Sequence, residues 1–251
     1  KKYCDVCGER IGLLGNRKLE DGNLCKDCAR KLSPWFSERR NSSVNEIKRQ
    51  LEYREENRGR VEAFHITRTL GSGTKLLLDE DAGLFMVTSA KNIAEANPDV
   101  LALSDVTGCT LDVEESSKEL LHEDKDGNEV SYNPPRYEYS YDFYIIVNVN
   151  NPYFNEMRFR INPNSVEISP PPSIRPGVTL RFNPETNAEY KKYKQLGEEI
   201  RQILVKVRDD AREKIEQAAA PKTAVSCPYC GATTTPDASG CCEYCGGALM
   251  G

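Results

Sequence analysis

Cys4-Asp-Val-Cys7 and Cys25-Lys-Asp-Cys28 stand 17 residues apart near one end of the chain, and Cys227-Pro-Tyr-Cys230 and Cys242-Glu-Tyr-Cys245 stand 11 residues apart near the other. Each set offers four thiolates, the number that closes a tetrahedral shell around one Zn²⁺ and leaves no position for substrate or water. The pattern therefore predicts two structural Zn²⁺ ions, held by Cys4, Cys7, Cys25 and Cys28 and by Cys227, Cys230, Cys242 and Cys245. Cys241 stands beside Cys242, so two registers exist. Repeating the Cys-x-Tyr-Cys-Gly pattern selects Cys242. Iron in a rubredoxin-like Cys₄ shell is the alternative that knuckle spacing alone leaves open.

Working outward from the first set, residues 1–34 read as a treble clef. Gly8 follows Cys7 where a knuckle needs unusual dihedrals. Ile11 to Leu24, with a turn at Asp21-Gly22, reads as a hairpin. Cys25 to Leu32 reads as the first turns of a helix, whose free N–H groups suit thiolates. Residues 226–251 read as a zinc ribbon of two like knuckles.

Between the metal ends, Ser43-Val-Asn-Glu46 is a capping box that opens a connecting helix within 35–60. Its Lys48, Arg49, Arg54 and Arg58 read as a solvated face. Residues 61–184 concentrate strand signals. Lys75–Asp79 and Leu84–Thr88 flank a short loop. A brief helix near Asn92–Asn97 stops at Pro98. Val100–Leu103 and Val106–Val113 suggest further strands. Tyr137, Tyr139, Tyr141, Phe143, Ile145, Val147 and Val149 alternate as one buried face of a long strand. Met157, Phe159 and Ile161 face back from its partner, and Ser169-Pro-Pro-Pro172 breaks regular structure. A meander of this kind predicts a small closed barrel or sandwich. From 185 to 220 the period turns helical through Tyr190, Tyr193, Leu196, Ile200, Leu204, Val207 and Ile215, ending at Ala218-Ala-Ala-Pro221. A helix this long outruns a small barrel, so homodimerisation through 185–220 is an open expectation.

Composition narrows the function classes. The net charge of −5 argues against wholesale phosphate-backbone binding, although residues 1–60 carry 15 basic against 10 acidic side chains. Residues 76–150 carry 4 basic against 16 acidic, which disfavours nucleic acid there despite the tyrosines. No run is apolar enough to span a membrane, and Lys1-Lys-Tyr-Cys4 lacks the apolar stretch of a signal peptide. Paired Cys-x-x-Cys units point to a reducing, cytoplasmic setting. His65 and His122 have no visible catalytic partner. Cys109 reads as a buried thiol, Gly71-Ser-Gly-Thr-Lys75 as a hinge, and Asp124-Lys-Asp-Gly-Asn128 as a polar turn.

Cys4-Asp-Val-Cys7-Gly8 through Leu19-Glu-Asp-Gly22-Asn-Leu-Cys25-Lys-Asp-Cys28 resembles an uncharacterised bacterial family with an N-terminal treble-clef domain of unknown function. Leu32-Ser-Pro-Trp-Phe36-Ser-Glu-Arg-Arg40 and Pro134-Pro-Arg-Tyr-Glu-Tyr-Ser-Tyr-Asp-Phe143 are similar to segments of its longer members. That resemblance implies a fold and no mechanism. The order of elements through Leu103-Ser-Asp-Val-Thr-Gly-Cys109 to a closing helix resembles a bacterial pleckstrin-homology (PH)-like barrel, which implies a binding platform for proteins or lipids. The expected architecture is thus multidomain α+β, with a PH-like β-barrel and long helix flanked by treble clef and zinc ribbon. The expected function is a non-enzymatic zinc-binding adaptor with a protein partner. The alternatives are a nucleic-acid-binding regulator and a membrane-surface stress-associated protein that binds anionic lipid.

Overall fold

The computed structural model describes residues 1–171, 182–219, 224–237 and 239–249. They form two compact units, Lys1–Ala211 and Arg212–Gly251, of mixed α+β type.

The first unit begins with two small hairpins, β1 (Lys2–Tyr3) with β2 (Arg10–Ile11) and β3 (Arg17–Lys18) with β4 (Asn23–Leu24), followed by α1 (Lys26–Arg30). Ile11, Leu19, Leu24 and Leu32 bury together, and Ile47 of α2 (Val44–Ala63) completes the cluster. The connecting helix is therefore part of the N-terminal core. Its start follows from the capping box: Ser43 Oγ accepts from Glu46 N, and Glu46 returns the bond to Ser43 N. Asp21 of the β3–β4 turn also accepts from Val44 N at 2.7 Å, fixing the entry angle.

The helix is not confined to 35–60 but runs to Ala63, and Arg54 is not on a solvated face. Arg54 is buried and ion-paired to Asp99 at 2.8 Å, with side-chain exposures of 7% and 0%. It also donates to the carbonyls of Lys31 and Asn97. Ser33 Oγ donates to the other Asp99 oxygen, and Asn57 bridges Asn97, Pro98 and Val100. Asn97 itself holds φ +48°, a left-handed conformation that asparagine tolerates and that ends α3 (Ile93–Ala96).

That network seats α2 on a four-stranded antiparallel sheet of β5 (Arg68–Leu70), β6 (Lys75–Asp79), β7 (Leu84–Thr88) and β8 (Leu101–Ala102), paired in that order. Both faces are covered, so Leu76-Leu-Leu78 is a continuous apolar run rather than an alternating one. Leu77, Met86 and Val100 meet Val61 of α2, while Leu76, Leu78, Phe85 and Val87 face the main core.

The second sheet contains β9 (Val106–Glu123), β10 (Glu129–Val149), β11 (Glu156–Arg160) and β12 (Val166–Ile168). β10 is central, pairing with β9, β11 and β12. Its alternating Tyr141, Phe143, Ile145, Val147 and Val149 are all buried, as the period of two requires. α4 (Ala188–Ala219) lays Tyr190, Tyr193, Ile200, Leu204 and Val207 into the same core. Tyr190 meets Phe143 edge-on, with ring centroids 5.1 Å apart. A Cβ at Gly197 would lie 2.5 Å from Leu111 Cδ1, so the helix approaches β9 closely where it lacks a side chain.

The expected closed PH-like barrel is not formed. Both sheets are open, and no ladder joins them among the described residues. Closure needs edge strands of matched length, whereas β8 has 2 residues and β9 has 18. The apolar stripe of α4 covers the core instead. β5 and β12 carry no alternation long enough to mark them in the sequence, and β9 continues ten residues beyond Val113. Of the expected chain breaks, Pro172, Ala220 and Pro221 lie outside the described residues.

Replacing one partner of the buried pair strands the other charge, which costs about 3–5 kcal/mol. Arg54→Ala is expected to show that loss in urea unfolding. Arg58→Ala, whose Glu55 pair is exposed, should cost under about 1 kcal/mol. The double change Arg54→Met/Asp99→Leu should recover most of the single-variant loss.

Candidate metal centres

The first site grows from the β1–β2 hairpin. Cys4 N donates to Glu9 O and Gly8 N to Cys4 O, a knuckle that Gly8 closes at φ +76°. The N–H groups inside such a turn point back at the first sulfur. The second pair sits at a helix start: Cys25 caps α1, and its Sγ accepts from Cys28 N at 3.3 Å. Asp5 ties the two halves together, since Asn23 N donates to its Oδ2 at 2.7 Å. Cys7 Sγ and Cys25 Sγ stand 3.7 Å apart. The four sulfurs of Cys4, Cys7, Cys25 and Cys28 lie within 4.8 Å of one another.

The second site, in the unit Arg212–Gly251, uses the knuckle twice. β13 (Val225–Ser226) and β14 (Thr233–Thr234) flank the first, where Gly231 N donates to Cys227 O. In the second, Gly246 N donates to Cys242 O. Gly231 and Gly246 share nearly the same left-handed φ, +74° and +72°. Cys227 Sγ is 3.6 Å from Cys245 Sγ, and Cys230 Sγ is 3.7 Å from Cys242 Sγ. Cys241 stays outside the group, with its Sγ toward Ser239 O and its backbone bridged to Ala248.

Four ligands at about 2.3 Å in a tetrahedron place sulfurs about 3.8 Å apart. The observed spacings match that edge and exceed a disulfide bond by far, and the ten cysteines are free thiols. Both donor sets thus fit structural Zn²⁺, and each is complete with protein thiolates alone.

The thiols are electrostatically unequal. Burial pushes Cys4 up, but the backbone N–H groups of Cys7, Cys25 and Val6 outweigh it and bring its pKa to about 6. Cys227 behaves alike: burial opposes, and the N–H groups of Cys230 and Tyr229 bring it to about 7. Once one thiolate is present, its neighbours resist ionising. Cys28 is raised by burial and by Cys25 and Cys7. Gly247 N–H lowers Cys245, but the Cys230 and Cys227 thiols overcome this and push it to about 12. Only a cation can hold all four ionised together.

The other chemical candidates are dispersed. Cys109 is buried in the main core, and burial raises its thiol to about 11 against the pull of Arg201 and Arg208, so it is protonated at neutral pH. His122 packs against Tyr132 with the rings tilted by 46° and their centroids 4.6 Å apart. Gly71 turns β5 into β6 at φ +86°. Asp124 accepts from the backbone of Asp126 and Asn128, making a hairpin turn. The Arg54–Asp99 pair was not signalled, because 45 residues separate its members and no local pattern links them.

Residues 2–50 match the family described as Domain of unknown function (DUF4428), a stretch that holds the first metal site and the start of α2. No curated protein and no solved structure matches the chain.

Metal analysis of the full chain is expected to give two Zn²⁺, falling to one in Cys227→Ser with the fold of Lys1–Ala211 unchanged by circular dichroism. Cys241→Ser should leave the count at two, and Co²⁺ substitution should give the absorption of tetrahedral thiolate sites.

Proposed function

We propose that the chain is a non-catalytic adaptor of the reducing cytoplasm, in which an N-terminal treble clef and a C-terminal zinc ribbon present contact surfaces to protein partners. The observation that carries this reading is the pair of knuckle tyrosines. Tyr229 and Tyr244 occupy equivalent positions, Cys-x-Tyr-Cys, and are 71% and 72% exposed. The Tyr229 ring lies against Gly247, where a Cβ would come within 2.5 Å of it. A large exposed aromatic with only two side-chain torsions loses little entropy when a partner covers it, which is the property of an interface anchor. The metal beneath supports this role, because a shell closed by four thiolates offers no Lewis-acid position and acts by holding the knuckles.

The test compares the native chain with Tyr229→Ser/Tyr244→Ser in affinity purification from its own cells. The double variant should keep two Zn²⁺ and lose at least one partner that binds directly when purified. An unchanged set of partners sinks the reading. Retention of nucleic acid that falls steeply with salt would favour the regulator alternative instead.

A further inference from the structure

The β9–β10 hairpin outruns the core. From Glu114 to the turn at Asp124–Asn128 and back to Glu138, most side chains are exposed, including Leu121 at 45% and Tyr137 at 38%. This arm has two long edges, and they are not equivalent. The outer edge of β10 is taken by β12 and β11 nearer the core. Within the arm it carries Pro134-Pro135, which lack N–H groups, and the register shifts there between Ser131 and Arg136. β9 has no proline, and among the described residues its only ladder is with β10. A strand bonded on one side leaves a row of N–H and C=O groups open to another chain. Adding an extended peptide to such an edge is an established recognition mode.

Charge selects the occupant. Residues 114–136 hold seven acidic and three basic side chains, a net −4. Glu114 is engaged by Arg158 and Glu115 accepts from the Tyr141 hydroxyl, while Glu119 and Glu123 continue the series along β9, every fourth residue and so on one face of the strand. Phosphate backbones are repelled by that surface. Two copies of the arm would set like charges side by side, which opposes cross-strand pairing. A strand rich in lysine or arginine meets the opposite sign at successive positions.

We propose that the outer edge of β9, Glu114–Glu123, docks an extended Lys/Arg-rich segment of a partner protein as an added strand. The site uses none of the metal-binding cysteines or the knuckle tyrosines, and it stands or falls apart from them. Backbone pairing supplies the geometry, and the carboxylates exclude neutral and acidic strands.

The probe is a short fluorescent peptide of alternating lysine and threonine, titrated into the full zinc-loaded chain by anisotropy. Two companions serve as controls, one with glutamate for lysine and one N-methylated at alternate amides. Binding of the basic peptide alone, weakening with added salt, is expected. Glu115→Lys/Glu119→Lys should weaken it about tenfold, as two cross-strand charge pairs are lost. Glu119→Gln, which removes charge without reversing it, carries the comparison if the double variant misfolds. Amide exchange over 114–123 should slow on binding. Equal binding of the N-methylated peptide would overturn strand addition, as would no binding at all. Protection of 114–123 that rises with protein concentration and no peptide would assign the edge to a second copy and also overturn the proposal.

Discussion

The contact on which the first unit depends is the buried Arg54–Asp99 ion pair. It is one point of a network joining three parts of the chain: the end of the N-terminal module at Lys31 and Ser33, α2, and the Asn97–Val100 approach to β8. Taking both charges from water is costly, and attraction alone seldom repays it. The remaining groups are therefore matched one by one: Arg54 reaches two carbonyls besides Asp99, and Ser33 Oγ donates to the second Asp99 carboxylate oxygen. Burial still pulls the Asp99 carboxyl above its ordinary value, against Arg54 and Ser33. A network with so few unsatisfied atoms tolerates only one placement of α2. That placement settles which side of the β5–β8 sheet faces α2 and which faces the main core.

How much of this was readable depends on the range of the interaction. The hairpin turn at Asp21-Gly22, the helix start at Ser43, the strands Lys75–Asp79 and Leu84–Thr88 and the buried face of β10 from Tyr141 to Val149 follow from local periodicity, caps and turn residues, and the fold has them; Tyr137, expected on that face, is exposed, because the strand runs past the core there. The four-sulfur groups were readable for the same reason, since each knuckle is a five-residue signal. Closure of a barrel depends on edges that meet far apart in sequence, and no pattern reports it. The α4 stripe has the same period whether it caps a barrel or covers two open sheets. Arg54 shows the limit most plainly. Among the charges of α2 it looks like Lys48 or Arg58, and only Asp99, 45 residues away, makes it a core residue.

The acidic excess of 76–150 runs along the whole β-rich portion, and the arm beyond the core holds 7 of the 16 acidic residues, between 114 and 136. Nearer the core, carboxylates are neutralised locally: Arg158 takes Asp112 and Glu114, and Arg160 takes Asp142. Charges left unpaired on an edge strand are a known guard against edge-to-edge association. The guard is specific in sign, and it protects against copies of itself better than against a basic chain.

The two metals carry different burdens. Around the first, Ile11, Leu19, Leu24 and Leu32 bury with Ile47 from α2, so apolar contact with a neighbouring element shares the work of holding the module. The unit Arg212–Gly251 has no comparable cluster: its buried positions among the described residues are Cys227, Cys242 and Thr234. A unit of that size without a core is below what apolar burial alone sustains. Its fold must come from the Zn–thiolate bonds, and removing the ion removes the structure. The most exposed tyrosines, Tyr229 and Tyr244, sit on this unit. A surface that exists only while its metal is bound is present or absent with zinc, whereas the β9 edge, anchored in a core of phenylalanine, tyrosine and valine, persists without it.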